Sequence, residues 1–141
     1  LGEHNKAETM LRRALEIEER VLGPEHPDTL NSVNNLGLIL LEMGRYDEAE
    51  AMYRRALEVR EKLQGPESPH ALICFSSIGL LLERQGNYDE AEVMFRRVLD
   101  GQLKTLGPGH PHTLESLERL TSVLEKQGKY EEVEAIRQRL N

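Results

Sequence analysis

Apolar side chains recur at intervals of three and four residues along most of the chain. One stretch carries Leu30, Val33, Leu36, Leu40 and Met43, and the next carries Ala49, Met52, Tyr53, Ala56, Leu57 and Leu63. A helix gathers such positions onto one face, so each stretch predicts an amphipathic helix with one side covered. No stretch alternates apolar and polar residues as a half-buried strand does. Pro27, Pro69 and Pro111 suit a first helical position, where the missing N–H has no partner to lose. Ser68 is a good N-cap, and His26 and His110 are poorer ones. Gly44 tolerates the left-handed conformation that ends a helix. Asp47 with Glu50, and Asp89 with Glu92, have capping-box spacing at the positive end of the next helix. The pattern predicts helices over about 4–22, 27–43, 47–63, 69–85, 89–105, 111–127 and 131–141, with Gly101 weakening the fifth by about 1 kcal/mol.

The pattern repeats every 42 residues. Gly23-Pro24 returns as Gly65-Pro66 and Gly107-Pro108, and Leu30 returns as Leu72 and Leu114. Tyr46-Asp47-Glu48-Ala49-Glu50 returns unchanged from Tyr88 to Glu92 and fades to Tyr130-Glu131-Glu132-Val133-Glu134. A fixed period of this length marks an array of supersecondary units that stack on one another. Gly2 stands one period before Gly44, so residues 2–22 read as the back half of an earlier repeat. Repeats then follow at 23–64 and 65–106, with an incomplete one at 107–141, all within one domain over 1–141. The start in mid-repeat suggests a fragment of a longer chain.

Composition narrows the function. The 141 residues include no Trp and two Phe, which suits small and aliphatic packing between helices. A net charge of −7 argues against nucleic acid and anionic membranes, both of which select basic surfaces. The run Leu38-Ile39-Leu40-Leu41 is far too short to span a bilayer, and the polar start Leu1-Gly2-Glu3-His4 is no signal peptide. The single Cys74 excludes an internal disulfide framework and fits a reducing, cytoplasmic setting.

Leu36-Gly37, Leu40, Gly44, Tyr46, Ala49, Tyr53, Ala56 and Leu57 together resemble the tetratricopeptide repeat signature, and Ile78-Gly79, Leu82, Gly86, Tyr88, Ala91, Phe95, Val98 and Leu99 resemble it again. The period and the loop at 22–30 are similar to the kinesin light chain variety of that repeat. The resemblance implies an all-α, right-handed α-solenoid of antiparallel helix pairs. The third copy departs from the signature: Thr121 stands where Gly37 and Gly79 stand, and Arg137 replaces Tyr53 and Phe95. That copy is expected to pack loosely or to serve as a polar cap.

No residue set calls for catalysis. Cys74 lies at the position of Ser32 and Ser116 and reads as a small buried side chain. His26, His70 and the pair His110 and His112 sit in loops one repeat apart, so they read as helix caps and no metal site is expected. No Gly-rich phosphate loop is present and no cofactor is expected. By resemblance, the first helix of each pair lines a concave groove. Its positions are Asn31, Asn34, Asn35, Leu38, Leu41 and Glu42, then Ile73, Ser76, Ser77, Leu80, Glu83 and Arg84, then Glu115, Glu118, Arg119, Ser122, Glu125 and Lys126. Asn34 and Asn35 are mediocre helix formers, and each offers a donor and an acceptor suited to an extended peptide backbone. The expected function is a non-enzymatic protein-interaction module that binds a peptide segment in this groove. The alternative is a spacer, sensor or self-assembly arm working through its ends or convex face. Weak end-to-end self-association is also expected, because an array exposes apolar stripes where it starts and stops.

Overall fold

A computed structural model describes residues 2–140. Among them run α1 (Gly2–Val21), α2 (Pro27–Glu42), α3 (Tyr46–Gln64), α4 (Pro69–Arg84), α5 (Tyr88–Thr105), α6 (Pro111–Lys126) and α7 (Tyr130–Leu140), and no strand. Each agrees with a predicted helix to within two residues at the described ends. The predicted last residue, Asn141, lies outside the described residues, as does Leu1. Gly44, Gly86 and Gly128 take φ near +80° between the helices of a pair, and Gly23, Gly65 and Gly107 take φ of 87–96° between pairs. The N–H groups of Gly44 and Arg45 close the end of α2 on the carbonyls of Leu41 and Leu40, at 3.0 and 2.9 Å.

The helix starts depart from expectation in two ways. α3 and α5 begin at Tyr46 and Tyr88, with Arg45 and Asn87 at the N-cap and no side-chain capping bond. Asp47 and Asp89 therefore fall inside the first turn, and the expected capping boxes do not form. Glu50 instead accepts from Arg54 at 2.7 Å. His26 and His110 prove effective caps, since each Nδ1 accepts the backbone N–H two residues on, from Asp28 and His112, at 3.1 Å. Ser68 Oγ accepts from Ala71 N–H at 3.2 Å at the corresponding place.

The chain forms two compact units, one reaching to Ser77 and the other beginning at Ile78. In the first, α2 packs on both α1 and α3. Leu36, Leu40, Ala49, Tyr53 and Ala56 are fully buried there. A Cβ at Gly37 would stand 2.7 Å from Tyr53 Cε1, so the missing side chain is what lets the ring of α3 lie on the backbone of α2. Leu63, expected on the apolar stripe of α3, is 54% exposed because the stripe runs past the end of the cover. In the second unit, α6 packs on α5 and α7, and Gly79 meets Phe95 as Gly37 meets Tyr53, with a virtual Cβ 2.8 Å from Cε1. Thr121 is buried with its hydroxyl donating to the Glu118 carbonyl, and Arg137 turns outward to Glu125 and Glu134. The third copy thus uses a small polar side chain where no aromatic ring arrives.

Both units carry an acid that clamps two helices. Glu8 of α1 accepts from Arg12 at 2.8 Å and from Arg45, just before α3, at 2.7 Å. Two repeats on, Glu92 of α5 accepts from Arg96 at 2.7 Å and from Lys129, just before α7, at 2.9 Å. The hydrogen bond from Arg12 holds the Glu8 carboxyl below the usual range; burial opposes this, and Arg45 reinforces it. Burial pushes the Glu92 carboxyl up, but Arg96 and Lys129 outweigh it and the net direction is also down. A carboxyl with a lowered pKa in the folded state stabilises the fold above its unfolded pKa, and that contribution disappears as pH falls through the folded value. The melting temperature is therefore expected to drop on acidification through the carboxylate range, and Glu8→Gln with Glu92→Gln should flatten the profile. An unchanged profile in a thermal melt series would show that these clamps contribute nothing.

Candidate partner-binding face

α2 buries Leu30, Val33, Leu36 and Leu40 and turns Asn31, Asn35, Leu38 and Glu42 to solvent, with Asn34 half-buried at the border. Leu41 departs from expectation, because it is 1% exposed. A helix with neighbours on two sides buries two adjacent stripes, and Leu41 lies on the second, so it belongs to the core. Within the same unit, the first half of α4 presents Ile73 exposed and Ser76 and Ser77 half-buried.

The strongest feature of this face is absent from the sequence reading. Arg60 of α3 is 5% exposed, its Nη2 donates to Asn31 Oδ1 at 2.8 Å, and its buried Nε has no partner. Asn34 Oδ1, one turn along α2 from Asn31, is likewise buried and unpartnered. Among the described residues no carboxylate forms an ion pair with Arg60. A buried guanidinium with one neutral acceptor is costly, since burial removes water without supplying a countercharge. The Arg60 position is polar in each repeat and differs each time: Glu18 accepts from Ser32 Oγ at 2.5 Å, and Gln102 carries a buried, unpartnered Oε1. The sequence signal was available, because Arg60 follows Ala56 and Leu57 at helical spacing and thus interrupts an apolar stripe.

In the second unit the expected basic groups are engaged within the chain. Arg119 pairs with Glu115 at 3.3 Å, and Lys126 donates to Glu83 at 2.5 Å and lies 5.8 Å from the Tyr88 ring centroid. Glu83 holds the Lys126 ammonium above its ordinary range. Leu80 and Ser122 are half-buried, and Arg84 and Glu118 are exposed. A cavity of about 220 Å³ elsewhere in this unit has walls of Leu99, Leu103, Leu120 and Ile136 rather than groove positions. Cys74 is buried, and among the described residues no cluster of three His, Cys, Asp or Glu side chains is placed to hold a metal ion. No described helix is long and apolar enough to cross a membrane.

No curated protein matches the chain. Among solved structures, BtubC (BKLC) from P. vanneervenii is 26% identical, with a TM-score of 0.88 over 99% of this chain and 56% of that one. A putative kinesin light chain from Podosopora anserina, with nearly identical TPR-like repeats, is 24% identical, with a TM-score of 0.89 over 99% of this chain and 66% of that one. The chain thus spans between half and two thirds of these relatives, and it shares their all-α array of helix pairs. A tetratricopeptide repeat model matches residues 1–62, 28–104 and 71–139. With the 42-residue helix pairs and the glycine–aromatic contacts between their helices, that match makes this chain a member of the tetratricopeptide repeat family, whose folds are in general non-catalytic scaffolds for protein interaction.

Proposed function

We propose that the face made by α2 and the first half of α4 binds an extended peptide segment of a partner protein. The single observation that carries this reading is the buried Arg60, whose guanidinium reaches exposed Asn31 and has no countercharge among the described residues. A ligand carboxylate beside the Asn31–Arg60 pair would supply that countercharge. Asn35 stands ready for the peptide backbone, and exposed Leu38 and Ile73 offer apolar cover to one ligand side chain. The partner segment would be of mixed charge: an acid for Arg60, and basic flanks for a chain of net charge −7. The free thiol of Cys74 supports work in the reducing cytoplasm.

Selection from a displayed library of random 12-residue peptides tests the reading. The winners should carry Asp or Glu beside a bulky apolar residue. Calorimetry should find their binding weakened about tenfold or more by Arg60→Met, the scale of one charge-assisted hydrogen bond. Asn35→Ala should weaken it less, without loss of helicity. Selected peptides that bind Arg60→Met as tightly as the parent would transfer the function to the ends or the convex face.

A further inference from the structure

We propose, on the strength of the peptide reading, that Asn31 sets the charge selectivity of this face: its neutral amide keeps the buried Arg60 cation open to an acidic side chain of the ligand, which an acid at position 31 would shut out. Arg60 fixes how Asn31 is presented. A guanidinium carries donors only, so the contact from Nη2 at 2.8 Å takes the Oδ1 side of the amide. Nδ2, with two N–H donors, lies on the other side, and among the described residues it meets no acceptor. Asn31 is exposed, whereas Arg60 is buried beneath it. The surface therefore offers amide N–H groups backed by a positive charge, an arrangement that suits a carboxylate.

The fold could have completed this pairing by itself. Asparagine and aspartate have the same shape and similar helix propensity, so Asn31→Asp would turn the same contact into an ion pair. The repeat shows that the position admits an acid. Its equivalent in α6 is Glu115, which is exposed and pairs with Arg119 at 3.3 Å. One period after Asn31 and Arg60, the two positions hold Ile73 and Gln102, so the amide and the cation disappear together. A buried cation with one neutral acceptor destabilises the fold. Its retention beside an amide makes sense where the countercharge comes with the ligand. An acid at position 31 would neutralise Arg60 and repel the ligand's own acid.

Stability and binding should therefore move in opposite directions. In thermal melts Asn31→Asp should raise the midpoint by about 2–4 °C. In an Arg60→Met background the same substitution should give no rise, which separates the new ion pair from any effect of an acid on the helix dipole. A library of random 12-residue peptides, panned in parallel on the parent and on Asn31→Asp, should yield winners rich in Asp or Glu from the parent alone. The probe for calorimetry is the tightest of these, amidated at its C-terminus so that only side-chain acids remain. Asn31→Asp should weaken its binding about tenfold or more. Replacing the peptide's acid by its amide should weaken binding to the parent and leave binding to Asn31→Asp unchanged. Equal midpoint shifts in the two backgrounds would overturn the role of Asn31 and leave the peptide reading standing. So would a stabilised Asn31→Asp that binds the acidic probe as tightly as the parent. Loss of binding on amidation would move the acid to the ligand's C-terminus and overturn the side-chain assignment. Parent winners without acids would overturn the peptide reading itself.

Discussion

Gly37→Leu is expected to destabilise the first unit by several kcal/mol. A Cβ at position 37 would lie 2.7 Å from Tyr53 Cε1 and 3.0 Å from Cδ1, closer than unbonded carbons approach. The ring cannot swing aside, because Tyr53 is 1% exposed. Leucine then adds three further carbons into the same space. Overpacking a dense core costs about 1–3 kcal/mol and sometimes more, and this site belongs at the upper end. The gain in helix propensity over glycine, about 0.8–1 kcal/mol, offsets only part of that. Denaturant melts should show a clear fall in midpoint. A midpoint within error of the parent would mean that α2 and α3 do not meet at this contact. The same geometry predicts a rescue. Gly37→Ala alone should destabilise, and Tyr53→Leu alone should leave a cavity. Together they should cost less than the sum, because the ring that obstructs the methyl group is gone. The chain already hosts related combinations: Leu11 stands at the ring position of α1, and Thr121 occupies the glycine position where Arg137 replaces the ring.

The helices were legible because each apolar stripe has helical spacing and each end carries a glycine or proline whose backbone preference forces a stop. The capping boxes were misread because spacing alone does not say which residue is the cap. Asp47 has the right partner at the right distance in sequence, yet the chain turns into α3 at Tyr46, so Asp47 is already inside the helix. His26 and His110 were underrated because a cap is judged from frequency in the sequence, whereas in the fold each Nδ1 simply meets an N–H. Leu41 was placed on the groove because a one-stripe picture holds for a helix with one neighbour, and α2 has two. Arg60 escaped for the complementary reason. On an amphipathic helix a charged residue is assigned to solvent by default; the break that Arg60 makes in the Ala56–Leu57 stripe is the one sequence signal against that, and the packing holds it in the interior with an unpartnered N–H.

Cys74 should label extremely slowly while the chain is folded. Burial pushes its thiol up to about 11; the nearby Arg60 guanidinium pulls the other way, and Glu61 adds to the rise. The thiolate is the reactive form, so at pH 8 an ordinary thiol with pKa about 8.5 is roughly one quarter reactive, whereas one at this level is about a thousandth reactive. Reagent access requires an opening of the fold as well, because Cys74 is 1% exposed. Labelling by a maleimide at pH 8 should thus run at least about 100-fold slower in buffer than in denaturant. The rate also reads the integrity of the candidate site, since Arg60 and Cys74 are near neighbours. Arg60→Met removes a cation that lowers the thiol's pKa, which should leave labelling as slow as in the parent or slower. Slow labelling together with lost peptide binding would locate the defect in recognition. Fast labelling in that variant would instead show that Arg60 holds the first unit together. Labelling of the folded parent at the denatured rate would show that the N-terminal half of α4 opens freely, and a face that opens freely cannot present Asn34 and Arg60 as a preformed site.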